Sequence, residues 1–243
     1  MALCLAGRGY DVAAHYASSR DAAESVAKEI RALGQKAATL HCDLLDEDHT
    51  QTLIGLAAEA LGGPLNALIN NASIFEYDTI HTATRDSWDR HIGSNLRAPF
   101  VLTQNFAAQV PDPVRDSNGE PVAQGLVVNM IDQRVRKPTP HFMTYTIAKM
   151  GLWAFTRTAA QALAPRVRIN GIGPGPTLIG AHQSADHFAR QRAATILGRG
   201  ANPEDITAAL RYLLDAPAVT GQLLCVDGGQ HLGWETPDVS GFD

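Results

Sequence analysis

The sequence predicts an α/β fold, a doubly wound parallel sheet flanked by helices, in a single domain spanning residues 1–243. Three observations carry that prediction. Short β-branched or apolar runs recur along the chain, longer stretches with helical spacing separate them, and turn residues sit at the junctions. Alternation of this kind specifies parallel strands joined by crossover helices.

The chain opens MALCLAGRGYDVAAHY, which reads as the end of a helix, a stop at Gly7 and Gly9, and a strand over 11–16. AAESVAKEIRALG at 22–34 carries apolar residues at three- and four-residue intervals, and Gly34 marks its end. Further strands are expected at 36–41 (KAATLH), 66–71 (NALINN), 125–130 (GLVVNM), 167–172 (VRINGI) and 222–227 (QLLCVD). Asn202 followed by Pro203 gives an N-cap and a first-turn proline ahead of the helix at 203–215. The stretch 111–124, PDPVRDSNGEPVAQ, is polar and turn-rich and reads as a surface loop.

The 243 residues are 45% hydrophobic and 19% charged, enough for a sizeable core and against disorder. A formal net charge of −5 with no run of Lys or Arg argues against a nucleic-acid or anionic-membrane surface and favours a small-molecule substrate. Cys4, Cys42 and Cys225 lie far apart in apolar surroundings and read as reduced core residues, consistent with a cytoplasmic protein. No apolar stretch reaches the roughly 18 to 20 residues that span a bilayer. His41 and Cys42 are successive strand residues that point to opposite faces, so no metal site is expected.

One end of the chain departs from the pattern. A sheet of this kind that binds dinucleotides begins with a strand and a glycine-rich turn, which leads into a helix whose N-terminal amides hold the pyrophosphate. Neither that strand nor a G-x-x-x-G-x-G turn is present. Loss of that central strand would leave neighbouring strands without hydrogen-bond partners, which a strand and glycine turn omitted ahead of Met1 explain more easily than a natural gap; if the chain begins at Met1, weakened cofactor binding is expected.

The chemistry concentrates at NMIDQRVRKPTPHFMTYTIAK, residues 129–149. Tyr145 and Lys149 are four apart and share a helix face. An ammonium beside a phenol favours the phenolate, so the pair makes Tyr145 a candidate acid or base near neutral pH. Y-x-x-x-K alone is common by chance in amphipathic helices, and the context is what gives it weight. Asp132 closes the strand before it, NNAS at 70–73 and GPGPT at 173–177 follow other strands, and Asn95 lies on an adjoining helix. Ligands bind at the carboxyl ends of strands in such sheets.

The order NNAS, Asn95, Asp132, YTIAK, INGIGPGPT and VDGGQ resembles the short-chain dehydrogenase/reductase family across nearly the whole chain. The resemblance implies a Rossmann-type sheet and hydride transfer between NAD(P)(H) and a carbonyl, alcohol or related group. It makes Tyr145 the proton donor and Lys149 the residue that binds the nicotinamide ribose and tunes the tyrosine, and gives Asn95 a water-linked proton relay. It also places Asp43 at the adenine, and Asn71, Ala72 and Ser73 beside the adenine ribose. Pro174, Gly175 and Thr177 become cofactor contacts and Pro176 a substrate contact. At the end of the second strand, His15, Tyr16, Ser18, Ser19 and Arg20 include no acid for a ribose 2′-hydroxyl, whereas the serines and arginine suit a 2′-phosphate, which favours NADPH. An N-cap serine followed by a solvated arginine accounts for the same residues.

Most members carry serine where this chain has Asp132. An aspartate beside an oxyanion is costly unless it is protonated or faces a basic nitrogen. Pteridine reductases of the family carry this aspartate, and NNASIF at 70–75 resembles their NNAS-x-F segment, which makes Phe75 an aromatic clamp for a pterin. The expected reaction is NADPH-dependent reduction of a dihydropterin or dihydrofolate-type C=N bond. The alternatives are a ketone or 3-oxoacyl reductase, which Asp132 fits awkwardly, and a non-enzymatic binding protein on a degenerate scaffold. Enoyl reductases of the superfamily generally have a wider Tyr-to-Lys spacing. The resemblance further implies a homotetramer or homodimer formed through the helices bearing Asn95 and Tyr145, with the apolar face of 152–164 compatible with burial there. The tail at 231–239, with Trp234, either reaches a neighbouring subunit or covers the core.

Overall fold

The computed structural model describes residues 1–180 and 183–235. Its elements run α1 (Ala2–Ala6), β1 (Val12–Tyr16), α2 (Arg20–Ala32), β2 (Ala37–His41), α3 (Glu47–Leu61), β3 (Ala67–Asn70), α4 (Arg85–Ile92), α5 (Ala98–Gln109), β4 (Val114–Arg115), β5 (Pro121–Val122), β6 (Gly125–Met130), α6 (Met143–Leu163), β7 (Val167–Pro174), α7 (Ala185–Ala193), α8 (Pro203–Asp215) and β8 (Leu223–Val226). Every strand predicted from the sequence is present. The stretch 111–124 differs from the expected loop, because Val114–Arg115 pairs antiparallel with Pro121–Val122 in a short hairpin. Of the predicted tail, 236–239 lie outside the described residues, and Trp234 is 65% exposed.

The reason for the layering is visible in β6. All six of its residues are buried. Leu126, Val128 and Met130 pack with Ile30 of α2 and Leu210 and Leu213 of α8 on one face, while Val127 packs with Ile54 of α3, Phe106 of α5 and Ala159 of α6 on the other. A strand buried on both faces reads as a continuous apolar run rather than an alternation. Asn202 caps α8 through a reciprocal bond pattern with Asp205, with Pro203 in the first turn. No described helix is long and apolar enough to cross a membrane.

The parallel strands fall into two groups, β2–β1 and β3–β6–β7–β8, each in strict parallel register. The edges of β1 and β3 that face each other carry no ladder bonds. Between them lies a cleft of about 1100 Å³ lined by Val12–Tyr16 on one side and Ala67–Asn70 on the other, floored by Leu53, Ile54 and Ala57 of α3. Residues of these two strands are mostly half-buried, unlike β6. Two unpaired strand edges over an apolar floor form a slot for one more strand. Fusing an apolar five- or six-residue strand through a short loop ahead of Met1 is expected to raise the melting temperature by several degrees, about 2–4 °C per kcal/mol for a chain of this size. Calorimetry reads the effect, and an unchanged transition would mean the slot takes no strand.

Candidate active site

The carboxyl ends of β3, β6 and β7 open on one side of the sheet. After Met130 the chain leaves β6 through Ile131, and Asp132 starts a single 3-10 turn, Gln133–Val135, by accepting the Arg134 amide on Oδ1 at 2.7 Å. Tyr145 is the third residue of α6, and its hydroxyl donates to Asp132 Oδ2 at 2.9 Å. One turn further along the same face, Lys149 Nζ donates to the Met130 carbonyl at 2.8 Å and lies 5.6 Å from the centre of the Tyr145 ring. The carboxyl, phenol and ammonium read from the sequence are therefore brought together.

Their electrostatics correct one expectation. Lys149 does not draw the phenol down. Burial, followed by the Asp132 charge and its hydrogen bond, holds Tyr145 well above the ordinary value of 10.0. The physical reason is that a phenol shielded from water and facing a carboxylate keeps its proton. Burial likewise pushes the Asp132 carboxyl up, partly offset by the Arg134 amide, the Tyr145 hydroxyl and the charges of Arg134 and Lys149. Lys149, 2% exposed, is lowered to about 8 by burial, which Asp132 opposes.

Asn95 is buried in a π-helical turn, Gly93–Arg97, between α4 and α5. Its side chain accepts from the Ile74 amide at 3.0 Å and donates to the Ile74 carbonyl at 2.8 Å, so it clamps the loop that carries Phe75. Phe75 stacks on Phe142 with centroids 4.2 Å apart and meets Tyr145 edge-on at 4.7 Å, while 51% of its surface stays exposed. Ser73 is exposed on the same loop and bonds locally to the Ile74 carbonyl.

The candidate cofactor residues divide. Ser18, Ser19 and Arg20 are exposed at the start of α2, and Ser19, its N-cap, makes no side-chain capping bond. His15 and Tyr16 are half-buried, and the ring of His15 is bonded to the Cys42 carbonyl at 2.7 Å. Asp43 bonds the Leu45 amide at 3.0 Å, and Asn71 and Ala72 are exposed past the end of β3. Pro174 ends β7, and Thr177 Oγ1 donates to the Gly175 carbonyl at 3.0 Å. A Cβ on Gly175 would sit 2.6 Å from Asp227 Cα, so packing alone requires glycine there. Pro176 is buried, with its carbonyl accepting from Arg192 at 2.9 Å. Among the described residues no three His, Cys, Asp or Glu side chains converge as metal ligands.

Sequence reasoning missed Asp78, His91, Phe142 and Thr144. Phe142, the N-cap of α6, has φ 56°, a left-handed conformation costing of order 1–3 kcal/mol in a residue with a side chain. Thr144 bonds Asp78, 66 positions earlier, through both its amide and its hydroxyl. Thr144 next to Tyr145 was the available signal; a loop aspartate and a helix histidine carry none.

Lys149 generates a pH prediction. Its folded pKa of about 8 lies below the ordinary 10.5, so between these values the unfolded chain binds more protons and stability rises with pH. The gain is about 3 kcal/mol across that window and is lost again as pH falls through 8. Lys149→Met is expected to remove this slope in urea titrations at pH 8 and 10.5; parallel profiles for the two chains would show that Lys149 titrates normally.

Comparison with known proteins adds to this geometry. Residues 1–231 match a family model described as enoyl-(acyl carrier protein) reductase. A 3-oxoacyl-[acyl-carrier-protein] reductase FabG of Staphylococcus aureus is 29% identical over 96% of this chain and 92% of its own length. An uncharacterized oxidoreductase of Mycobacterium tuberculosis is 37% identical over 94% and 86%. The crystal structure of FolM alternative dihydrofolate reductase 1 from Brucella suis, in complex with NADP, superposes with a TM-score of 0.90 at 39% identity, covering 98% of this chain and 92% of that one. By model, sequence and fold, the chain belongs to the short-chain dehydrogenase/reductase family of oxidoreductases.

Proposed function

We propose that the protein is an NADPH-dependent, pteridine reductase-like enzyme that reduces a C=N bond of a dihydropterin or dihydrofolate-type substrate. The observation that carries this reading is the strand-end Asp132 carboxyl, pushed up by burial and bonded to the Tyr145 hydroxyl. A carboxyl whose hold on a proton is strengthened by burial can take one up and hand it to a basic ring nitrogen, a role for which a serine hydroxyl is far too weak an acid. The FolM structure, an alternative dihydrofolate reductase by name, supports the same reading.

The residues present fit NADPH at two ends. Arg20 pairs with no carboxylate among the described residues, and with Ser18 and Ser19 it offers exposed donors for a 2′-phosphate. Lys149 spends one of its three N–H groups on Met130, which leaves two for a ribose. When bound, the cofactor supplies the hydride. The chain's own part is to hold the substrate ring against Phe75, to keep water from Tyr145 and Asp132, and to deliver the proton where negative charge develops. Asn95 contributes by fixing the Phe75 loop. Self-association belongs to the same reading, since an apolar groove of about 550 Å³ between α5 and α6, lined by Phe100, Phe155, Ala159 and Leu163, is of the kind a second copy covers.

A second reading, reduction of a ketone or 3-oxoacyl group, is favoured by the FabG relative and needs only Tyr145 as acid. Asp132→Ser separates the two. Pterin reduction is expected to lose about a hundredfold in kcat/KM with dihydrobiopterin, the scale of a removed general acid, with ketone rates unchanged or raised. Steady-state rates on both substrate sets decide, and undiminished pterin reduction would sink the pterin reading. Arg20→Ala is expected to raise KM for NADPH about tenfold without affecting NADH, the scale of one charge-assisted hydrogen bond; equal effects on both would remove the 2′-phosphate role.

A further inference from the structure

The start of α6 is held by a buried chain of groups separate from the strand end that receives Tyr145. Asp78 reaches it from the loop after β3. Its backbone carbonyl accepts the Phe142 amide at 2.8 Å, its Oδ1 accepts the Thr144 amide at 3.2 Å, and its Oδ2 accepts the Thr144 hydroxyl and, at 3.2 Å, the Ser87 hydroxyl of α4. Thr144 Oγ1 also meets His91 Nδ1 at 2.7 Å, and His91 Nε2 lies 3.1 Å from the Glu76 amide. The Glu76 N–H is a donor, so Nε2 accepts and the proton sits on Nδ1. The order is then fixed: Glu76 N–H to His91, His91 N–H to Thr144, Thr144 O–H to Asp78.

Asp78, His91 and Thr144 are 2%, 0% and 2% exposed. Burial alone would raise the Asp78 carboxyl, yet the bonds from Thr144, Ser87 and Met143 together hold it below its ordinary value; burial holds His91 below its own. The network joins three segments that the site needs in register: the loop bearing Phe75, helix α4, and the first turn of α6 with its left-handed Phe142. The His91 ring also packs edge-on against the Tyr145 ring, with centroids 5.9 Å apart.

We infer that Asp78, Thr144 and His91 form a positioning relay that sets the first turn of α6 and thereby aims the Tyr145 hydroxyl at Asp132 and the ring of Phe142 at Phe75. This rests on the reading of Tyr145 as proton donor. The three residues touch no reacting atom; they act through the first turn of α6 and, for His91, through its edge-on contact with the Tyr145 ring.

Thr144→Val keeps the shape of the side chain and removes the hydroxyl, while Thr144→Ser keeps the hydroxyl. In the full chain with saturating NADPH and dihydrobiopterin, Thr144→Val is expected to lower kcat about a hundredfold, the cost of misplacing a reacting group by about 1 Å, with KM for NADPH within about twofold of the parent. Thr144→Ser should restore the parent rate. Native-state hydrogen exchange supplies a readout that needs no turnover: amides 145–149 should exchange about tenfold faster in Thr144→Val and at the parent rate in Thr144→Ser. Should Thr144→Val fail to fold, Asp78→Asn, which keeps shape and one acceptor, should show about a tenfold loss in kcat with the same exchange pattern. Parent-like exchange and kcat in the folded variants would overturn the relay, as would a fall in kcat matched by an equal rise in KM for NADPH. A Tyr145→Phe chain that keeps the parent rate would instead remove the proton-donor reading, and the exchange result would still decide whether the relay fixes the helix.

Discussion

The hydrogen bond between the Tyr145 hydroxyl and the Asp132 carboxyl is the constraint on which the rest of the site depends. It can form only if a strand end and the first turn of a helix, thirteen residues later in the chain, arrive within 2.9 Å of each other. Burial then acts on all three ionisable groups in the same sense. It raises the phenol, raises the carboxyl and lowers the ammonium, so each is moved toward its neutral form. Burial and the Asp132 charge together keep the proton on the Tyr145 phenol, where a proton donor needs it.

Two further bonds keep the pair in register. Lys149 Nζ ties α6 to the Met130 carbonyl at the end of β6, and Thr156, two turns on, accepts from Asn129 at 2.9 Å. Asn129 in turn accepts from Asn70 at 2.8 Å, which links β6 to β3 and to the loop carrying Phe75. All of these groups are buried, so each lost bond would leave a desolvated polar atom costing about 1–3 kcal/mol. The helix cannot slide along the sheet without breaking both anchors. Lys149 thus has a structural role that its spacing from Tyr145 does not reveal.

The parts of the molecule that were legible in the sequence are those written in local periodicity. The apolar runs of β6 and β7, Gly34 as a helix stop, and the Asn202–Pro203 start of α8 all appear where the pattern places them. Asp132, Tyr145 and Lys149 were legible because strand end and helix start are close in sequence. The sign of the Tyr145 shift was not, because proximity to Lys149 is a pairwise property while desolvation depends on every residue packed around the ring. Asp78 and His91 were invisible for a similar reason: a contact 53 or 66 positions apart leaves no mark on local spacing. Gly175 carries a second constraint that the sequence does not show, since its close approach to Asp227 by itself requires glycine.

The two halves of the site rest on unequal foundations. Asp132 and Tyr145 are supported by β6 and β7, which are bonded on both edges and largely covered by helices. Ser18, Ser19 and Arg20 follow β1, which belongs to a two-stranded piece whose inner edge faces the cleft. Isolated strand pairs are marginal in water and depend on what packs against them. Asn70, at the end of β3 on the other lip, has its Oδ1 buried without a partner, so that side too is short of a donor. A strand seated in the cleft would bond both edges and couple the two halves. Nucleotide affinity is therefore expected to follow the state of the cleft, and proton delivery the state of the first turn of α6. On the proposed roles the two functions rest on separate parts of one sheet, so damage to one need not appear in the other.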